Sequence, residues 1–119
     1  MGNKKSHTVA VLGGGSFGTA IANMIAANNQ STTLWLRSEA TAQSIRETGE
    51  NAAYLPGYKL HEDLIISTDL EQAIGGCDTV FFAVPSSAFR SLAKIVSPFL
   101  KPGTVLVSMA KGVEAESFM

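Results

Sequence analysis

Apolar and polar positions along this chain fall into short blocks whose period switches between strand and helix. Val9-Ala10-Val11-Leu12 is a compact apolar run that empties into glycines. From Phe17, apolar residues recur at Ala20, Ile21, Met24 and Ile25. That spacing predicts a helix over 16–28, buried along this stripe and ended by Asn28-Asn29. A strand is predicted over 32–36 and a helix over 39–48, stopped by Gly49. A loop over 50–59 and a short strand over 64–67 follow. Thr68-Asp69-Leu70-Glu71 reads as a capping box, with Thr68 accepting from the backbone N–H three residues on and Glu71 reaching back. The short helix it opens ends at Gly75-Gly76.

The stretch 78–84 is continuously apolar after its first two residues. That predicts a central parallel strand covered on both faces, stopped by Pro85. A further helix carries Phe89, Leu92, Ala93 and Val96 on one face and breaks at Pro98. Lys101-Pro102-Gly103 is a turn, and 104–109 is the last strand. Repeated strand–helix–strand units with right-handed crossovers predict an α/β fold, a doubly wound parallel sheet in the order 3-2-1-4-5.

The glycines after the first strand carry the first candidate chemistry. Gly13, Gly15 and Gly18 hold the spacing G-x-G-x-x-G between a predicted strand and a predicted helix. In that order the first glycine permits a tight turn, the second lets a pyrophosphate approach the main chain, and the third lets helix and strand pack closely. The helix N-terminus then offers free N–H groups and the positive end of its dipole. Without a ligand, the same residues would be a plain turn of an α/β protein. The second strand ends at Trp35-Leu36-Arg37-Ser38, where an NAD-preferring fold places Asp or Glu against the ribose hydroxyls. A guanidinium there can pair with a 2′-phosphate, which favours NADP. Glu39, two residues on, can still touch a ribose, which leaves NAD open.

Bulk properties narrow the classes. The chain has 119 residues, 45% of them hydrophobic and 16% charged, with a net charge of −1. This fits one globular domain, read as 1–119, and gives no electrostatic case for nucleic acid or an anionic membrane. No apolar run approaches a membrane span. The single cysteine, Cys77, excludes an internal disulfide and fits a reducing, cytoplasmic compartment. It is expected to be a packed thiol, not a catalytic one. His7 and His61 read as surface residues, and no metal-ligand cluster is apparent. Met1-Gly2-Asn3-Lys4-Lys5-Ser6 fits the loose myristoylation pattern, but a solvated leader is the favoured reading.

The ordered set of motifs is narrower than a generic fold. It comprises the run from Val11 through Gly18 to Ala20, then Leu34-Trp35-Leu36-Arg37, Asn51-Ala52-Ala53-Tyr54-Leu55-Pro56-Gly57 and Thr68-Asp69-Leu70. Val84-Pro85-Ser86 and Ala110-Lys111-Gly112-Val113-Glu114 complete it. In this order the chain resembles the N-terminal domain of NAD(P)-dependent glycerol-3-phosphate dehydrogenases, in particular the bacterial type. The resemblance implies a Rossmann-type sheet with the C-terminal substrate domain absent.

It also implies that Gly13, Gly15, Ser16, Phe17 and Gly18 form the cofactor turn and that Arg37 holds the adenosine side. Pro85, at the end of the fourth strand, would face the nicotinamide half. Lys111 would touch both cofactor and substrate, as a flexible ammonium beyond a strand end suits a phosphorylated or oxyanionic ligand. Tyr54 is read either as a cofactor contact or as packing over the sheet. Gly14 stands where alanine is usual in the family, and Phe17 where tryptophan or tyrosine is frequent.

The family's general base is a lysine of the C-terminal domain, expected beyond Met119, so no catalytic residue is expected in this chain. The chain is therefore read as part of a longer enzyme, expected to be homodimeric. That enzyme would reduce dihydroxyacetone phosphate to sn-glycerol 3-phosphate with NADPH for glycerophospholipid synthesis. The chain alone is expected to fold without turnover and to expose an apolar patch on the side of the fifth strand. Two alternatives stay open: the cofactor domain of a ketopantoate- or 6-phosphogluconate-type reductase, and a non-catalytic nucleotide-binding, redox-sensing module.

Overall fold

A computed structural model describes residues 8–13, 15–28, 30–52 and 57–108. Five strands and four α-helices alternate. They are β1 (Thr8–Leu12), α1 (Ser16–Ala27), β2 (Ser31–Trp35), α2 (Glu39–Thr48), β3 (Ile65–Ser67), α3 (Leu70–Ile74), β4 (Thr79–Phe82), α4 (Ser86–Val96) and β5 (Val105–Ser108), with a 3₁₀ turn, Ser97–Phe99, after α4. The sheet is parallel in the order β3-β2-β1-β4-β5, as the alternation predicts. Every helix follows a strand, so all four helix N-termini gather at the carboxyl edge of the sheet.

The pleat divides the core. Val9 and Val11 of β1 face α1 and α2, together with Leu34, Ala42 and Ile45. Ala10 and Leu12 face α3 and α4, together with Ile74, Val80, Phe82, Leu92 and Val96. Alternate side chains of one strand point to opposite faces, so a central strand is apolar throughout. Phe82 meets Phe89 edge to face, with ring centroids 4.8 Å apart. Burying side chains of this size contributes about 1.5–3 kcal/mol each. At the opposite edge of the sheet, Asp78 ties three strands together. It accepts from the Thr8 N–H at 3.0 Å and from Lys101 Nζ at 2.9 Å, while its own carbonyl accepts from Val105 N–H at 2.9 Å.

Three expectations change. The buried face of α1 is Gly18, Thr19, Ala22 and Ala26, with Ile21 and Ile25 beside it, while Phe17 and Met24 are about half exposed. Helix α1 approaches β1 too closely for large side chains, so small residues define its inner face. The cap of α3 is Asp69, whose Oδ1 accepts from Gln72 N–H at 3.1 Å; Thr68 Oγ1 instead donates to Glu39. Pro98 does not end the helical path abruptly but sits within the 3₁₀ turn, where its missing N–H costs nothing. The boundaries of α2 are as predicted, with Gly49 in the left-handed region at its end. On β5, Val105 and Leu106 are exposed, one on each face of that edge strand.

Candidate functional site

The glycine turn is built around two contacts that leave no room for a side chain. Gly13 has φ +125°, and a Cβ there would lie 2.4 Å from the Ala83 carbonyl oxygen. A Cβ on Gly18 would lie 2.1 Å from the Gly13 carbonyl oxygen. No L side chain fits either place, so the turn and the approach of α1 to β1 both require glycine. Gly15 is different. Its backbone is extended, and no atom of the described residues lies within 4 Å of where its Cβ would stand. The protein itself does not need glycine at that position, and the space there is what a ligand approaching the main chain would use.

Strand ends bring the other candidates to this turn. Gly13 N–H donates to the Trp35 carbonyl at 2.8 Å, and Leu36 N–H donates to the Ser67 carbonyl at 3.0 Å. Arg37 therefore leaves the sheet one strand away from the turn. On the other side, Ala83 N–H donates to the Leu12 carbonyl at 2.9 Å. The Gly13 Cβ position is 3.3 Å from Val84 Cγ1, so the turn abuts the segment that leads to Pro85. Pro85 is the N-cap of α4, its carbonyl accepting from Ala88 N–H at 2.9 Å. Gly13, Gly15, Ser16, Phe17, Gly18, Arg37 and Pro85 thus share one edge, at the switch point between β1 and β4. Tyr54 and Lys111 lie outside the described residues.

Electrostatics at this edge are uneven. Helix α1 has no side-chain cap and no acidic residue in its first turn, and the same holds for α4. Arg37 is exposed and makes no hydrogen bond or ion pair among the described residues. Glu39 is engaged: Oε1 accepts from Thr68 Oγ1 at 2.7 Å, and Oε2 accepts from Arg46 Nη1 at 3.2 Å. The Thr68 hydroxyl, and after it the Arg46 guanidinium, hold its carboxyl below the usual carboxylate range. Cys77, just before β4, is buried in the core on the α3 and α4 side, its Sγ donating to the Ala73 carbonyl at 3.3 Å. Burial, then the neighbouring Asp78 charge, pushes its thiol up, which suits a packed residue and not a nucleophile. Among the described residues no group of three His, Cys, Asp or Glu is placed to hold a metal. No helix among them is long and apolar enough to cross a membrane.

Two supporting features escaped the sequence reading. Asn51 is buried, and its Nδ2 donates to buried Thr19 Oγ1 at 2.9 Å. The His61 N–H donates to Asn23 Oδ1 at 2.6 Å, so the loop after α2 is pinned to α1 at two points one helical turn apart. Neither residue carries a local signal, because each partner is more than thirty positions away.

A doubly wound parallel sheet with a glycine turn at its switch point defines a Rossmann-type nucleotide-binding domain. A family model described as NAD-dependent glycerol-3-phosphate dehydrogenase N-terminus matches residues 8–119, and the chain belongs to that family. It is 50% identical over 114 residues to a glycerol-3-phosphate dehydrogenase [NAD(P)+] of Teredinibacter turnerae, a match covering 96% of this chain and 34% of the relative. It is 46% identical over 112 residues to the like-named protein of Saccharophagus degradans, covering 94% of this chain and 31% of that one. Among solved structures, glycerol-3-phosphate dehydrogenase from Coxiella burnetii superposes with a TM-score of 0.83 at 32% identity, over 90% of this chain and 33% of the other. The chain spans about a third of the length of these relatives.

Proposed function

We propose that this chain is the cofactor-binding part of an NADPH-dependent enzyme that reduces dihydroxyacetone phosphate to sn-glycerol 3-phosphate for glycerophospholipid synthesis in the cytoplasm. The observation that carries the reading is the open space over Gly15, at a helix N-terminus with neither a side-chain cap nor an acid. Gly57, Gly76 and Gly103 also have open space, but their left-handed backbone accounts for glycine there; at Gly15 neither backbone nor packing among the described residues calls for it. The cradle fits a pyrophosphate, and the free Arg37 guanidinium fits the 2′-phosphate of the adenosine half.

When bound, the nicotinamide ring supplies the hydride. The residues of this chain bind and orient. Gly13 makes the turn, its N–H held by the Trp35 carbonyl; the backbone at Gly15 and Ser16 receives the phosphates, and Phe17, half exposed beside the turn, offers an apolar face to the cofactor and keeps water from it. Gly18 holds α1 close enough to β1 for the cradle to exist. Pro85 starts α4 at the nicotinamide side; Tyr54 is assigned to the cofactor and Lys111 to both cofactor and substrate. The general base and most of the substrate pocket belong to the remainder of the enzyme. The exposed edge of β5, with Val105 and Leu106 uncovered on its two faces, fits a boundary against that remainder.

The test is a titration of NADPH and NADH against Trp35 fluorescence, in the wild-type chain and in Arg37→Ala. Trp35 is the single tryptophan, and its carbonyl is bonded to the glycine turn. A hydrogen-bonded charge contact is worth about 1.5–3 kcal/mol, so Arg37→Ala should weaken NADPH binding about tenfold or more and leave NADH nearly unchanged. An unaltered preference for NADPH would show the assignment of Arg37 to be wrong.

A further inference from the structure

The structure assigns to Thr68 and Arg46 a part in choosing between the two dinucleotides. They hold the Glu39 carboxylate at the β3 side of the sheet, away from the ribose position, and leave Arg37 as the charge that meets the adenosine end. The inference rests on the cofactor reading above.

In a doubly wound domain, a carboxylate just beyond the second strand accepts from the adenosine ribose hydroxyls and repels a 2′-phosphate. Glu39 is the one carboxylate between Trp35 and Arg46. Left free, it could serve that purpose and work against Arg37. Both of its oxygens are occupied instead. Thr68, which follows β3, donates to Oε1 at 2.7 Å. Arg46, on the third turn of α2, donates to Oε2 at 3.2 Å. Arg46 is anchored in turn, its Nη2 donating to the Ile66 carbonyl of β3 at 3.1 Å.

Both donors are thus fastened to β3 or its exit. Strand β3 lies on the far side of β2 from β1, and β1 carries the glycine turn. The bracket therefore draws the carboxylate toward the sheet edge and away from the cradle. Its ion pair is exposed and contributes little to stability. Its effect is on position: it removes one negative charge from the neighbourhood of Arg37 and neutralises it with Arg46.

The test compares NADPH and NADH dissociation constants, read by Trp35 fluorescence, in three forms of the chain: wild type, Thr68→Val/Arg46→Met, and that double variant with Glu39→Gln added. Circular dichroism melting locates a temperature at which all three are folded. Freeing the carboxylate should lower the NADPH-over-NADH affinity ratio about threefold, the scale of an exposed charge interaction. Glu39→Gln in the same background should restore it. A ratio that the double variant leaves unchanged, or a fall that Glu39→Gln does not reverse, overturns the inference while leaving the cofactor reading intact. A wild-type chain that binds neither nucleotide, or shows no preference for NADPH, overturns the cofactor reading and the inference with it.

Discussion

Four helices begin at the same edge of the sheet, yet they begin in two different ways. Helix α2 is capped by Ser38, whose hydroxyl accepts from Thr41 N–H at 3.1 Å, and has Glu39 in its first turn. Helix α3 is capped by Asp69 and has Glu71 in its first turn. Helices α1 and α4 have neither device. A helix leaves its first four N–H groups without intrahelical partners and concentrates positive charge there, so caps and acids are the ordinary remedy. The chain applies that remedy to the N-termini after β2 and β3 and withholds it from the pair after β1 and β4. The unequal treatment supports the proposed cofactor edge independently of glycine spacing, because it compares helices within one molecule.

The largest expected effect separates the glycines that serve packing from Gly15, to which a ligand role is proposed. Gly18→Ala drives a Cβ into the Gly13 carbonyl, and overpacking of this kind costs about 1–3 kcal/mol or more. It should lower the melting temperature by several degrees and abolish nucleotide binding. Gly15→Ala enters open space and replaces one N-cap by a poorer one, at under about 1 kcal/mol. It should nonetheless weaken NADPH binding at least tenfold. A parallel loss of stability in both variants, measured by thermal melting, would erase the distinction drawn between them.

Next in size are the caps. Ser38→Ala and Asp69→Ala should each destabilise the chain by about 1 kcal/mol in urea unfolding. Their effect on NADPH affinity should stay within about twofold, since both caps serve their own helices. The smallest effect is the most direct probe of the contrast. Ser16→Asp supplies α1 with the first-turn acid it lacks, which should stabilise the ligand-free chain by about 0.3–1 kcal/mol and weaken NADPH binding. If Ser16→Asp left NADPH affinity untouched, the bare N-terminus of α1 would have no connection with an anion.

Much of the fold was legible in residue order. The run from Val9 to Leu12, the capped start at Ser38 and the stop at Gly49 are local events, governed by neighbours within a few positions, and the observed elements follow them closely. The placement of the glycine turn and of Arg37 at one edge of the sheet was legible, because both are offsets from predicted strand ends. What was misread depended on distant partners. The inner face of α1 was assigned by hydrophobicity to Phe17 and Met24, whereas closeness to β1 selects for smallness at Gly18, Ala22 and Ala26. Thr68 carried the pattern of a cap, but its hydroxyl is spent on Glu39, twenty-nine positions earlier, and Asp69 takes its place.

The sequence by itself therefore determined the alternation of strand and helix, the parallel sheet and a glycine turn of the right spacing, since each follows from periodicity and short-range sterics. The packing of the crossovers settled which glycine is dispensable to packing, which helix ends lack caps and which donors hold the Glu39 carboxylate. Those outcomes depend on what a crossover places beside a residue, and a crossover joins Gly13 to Ala83 and Glu39 to Thr68 across distances that no local pattern records.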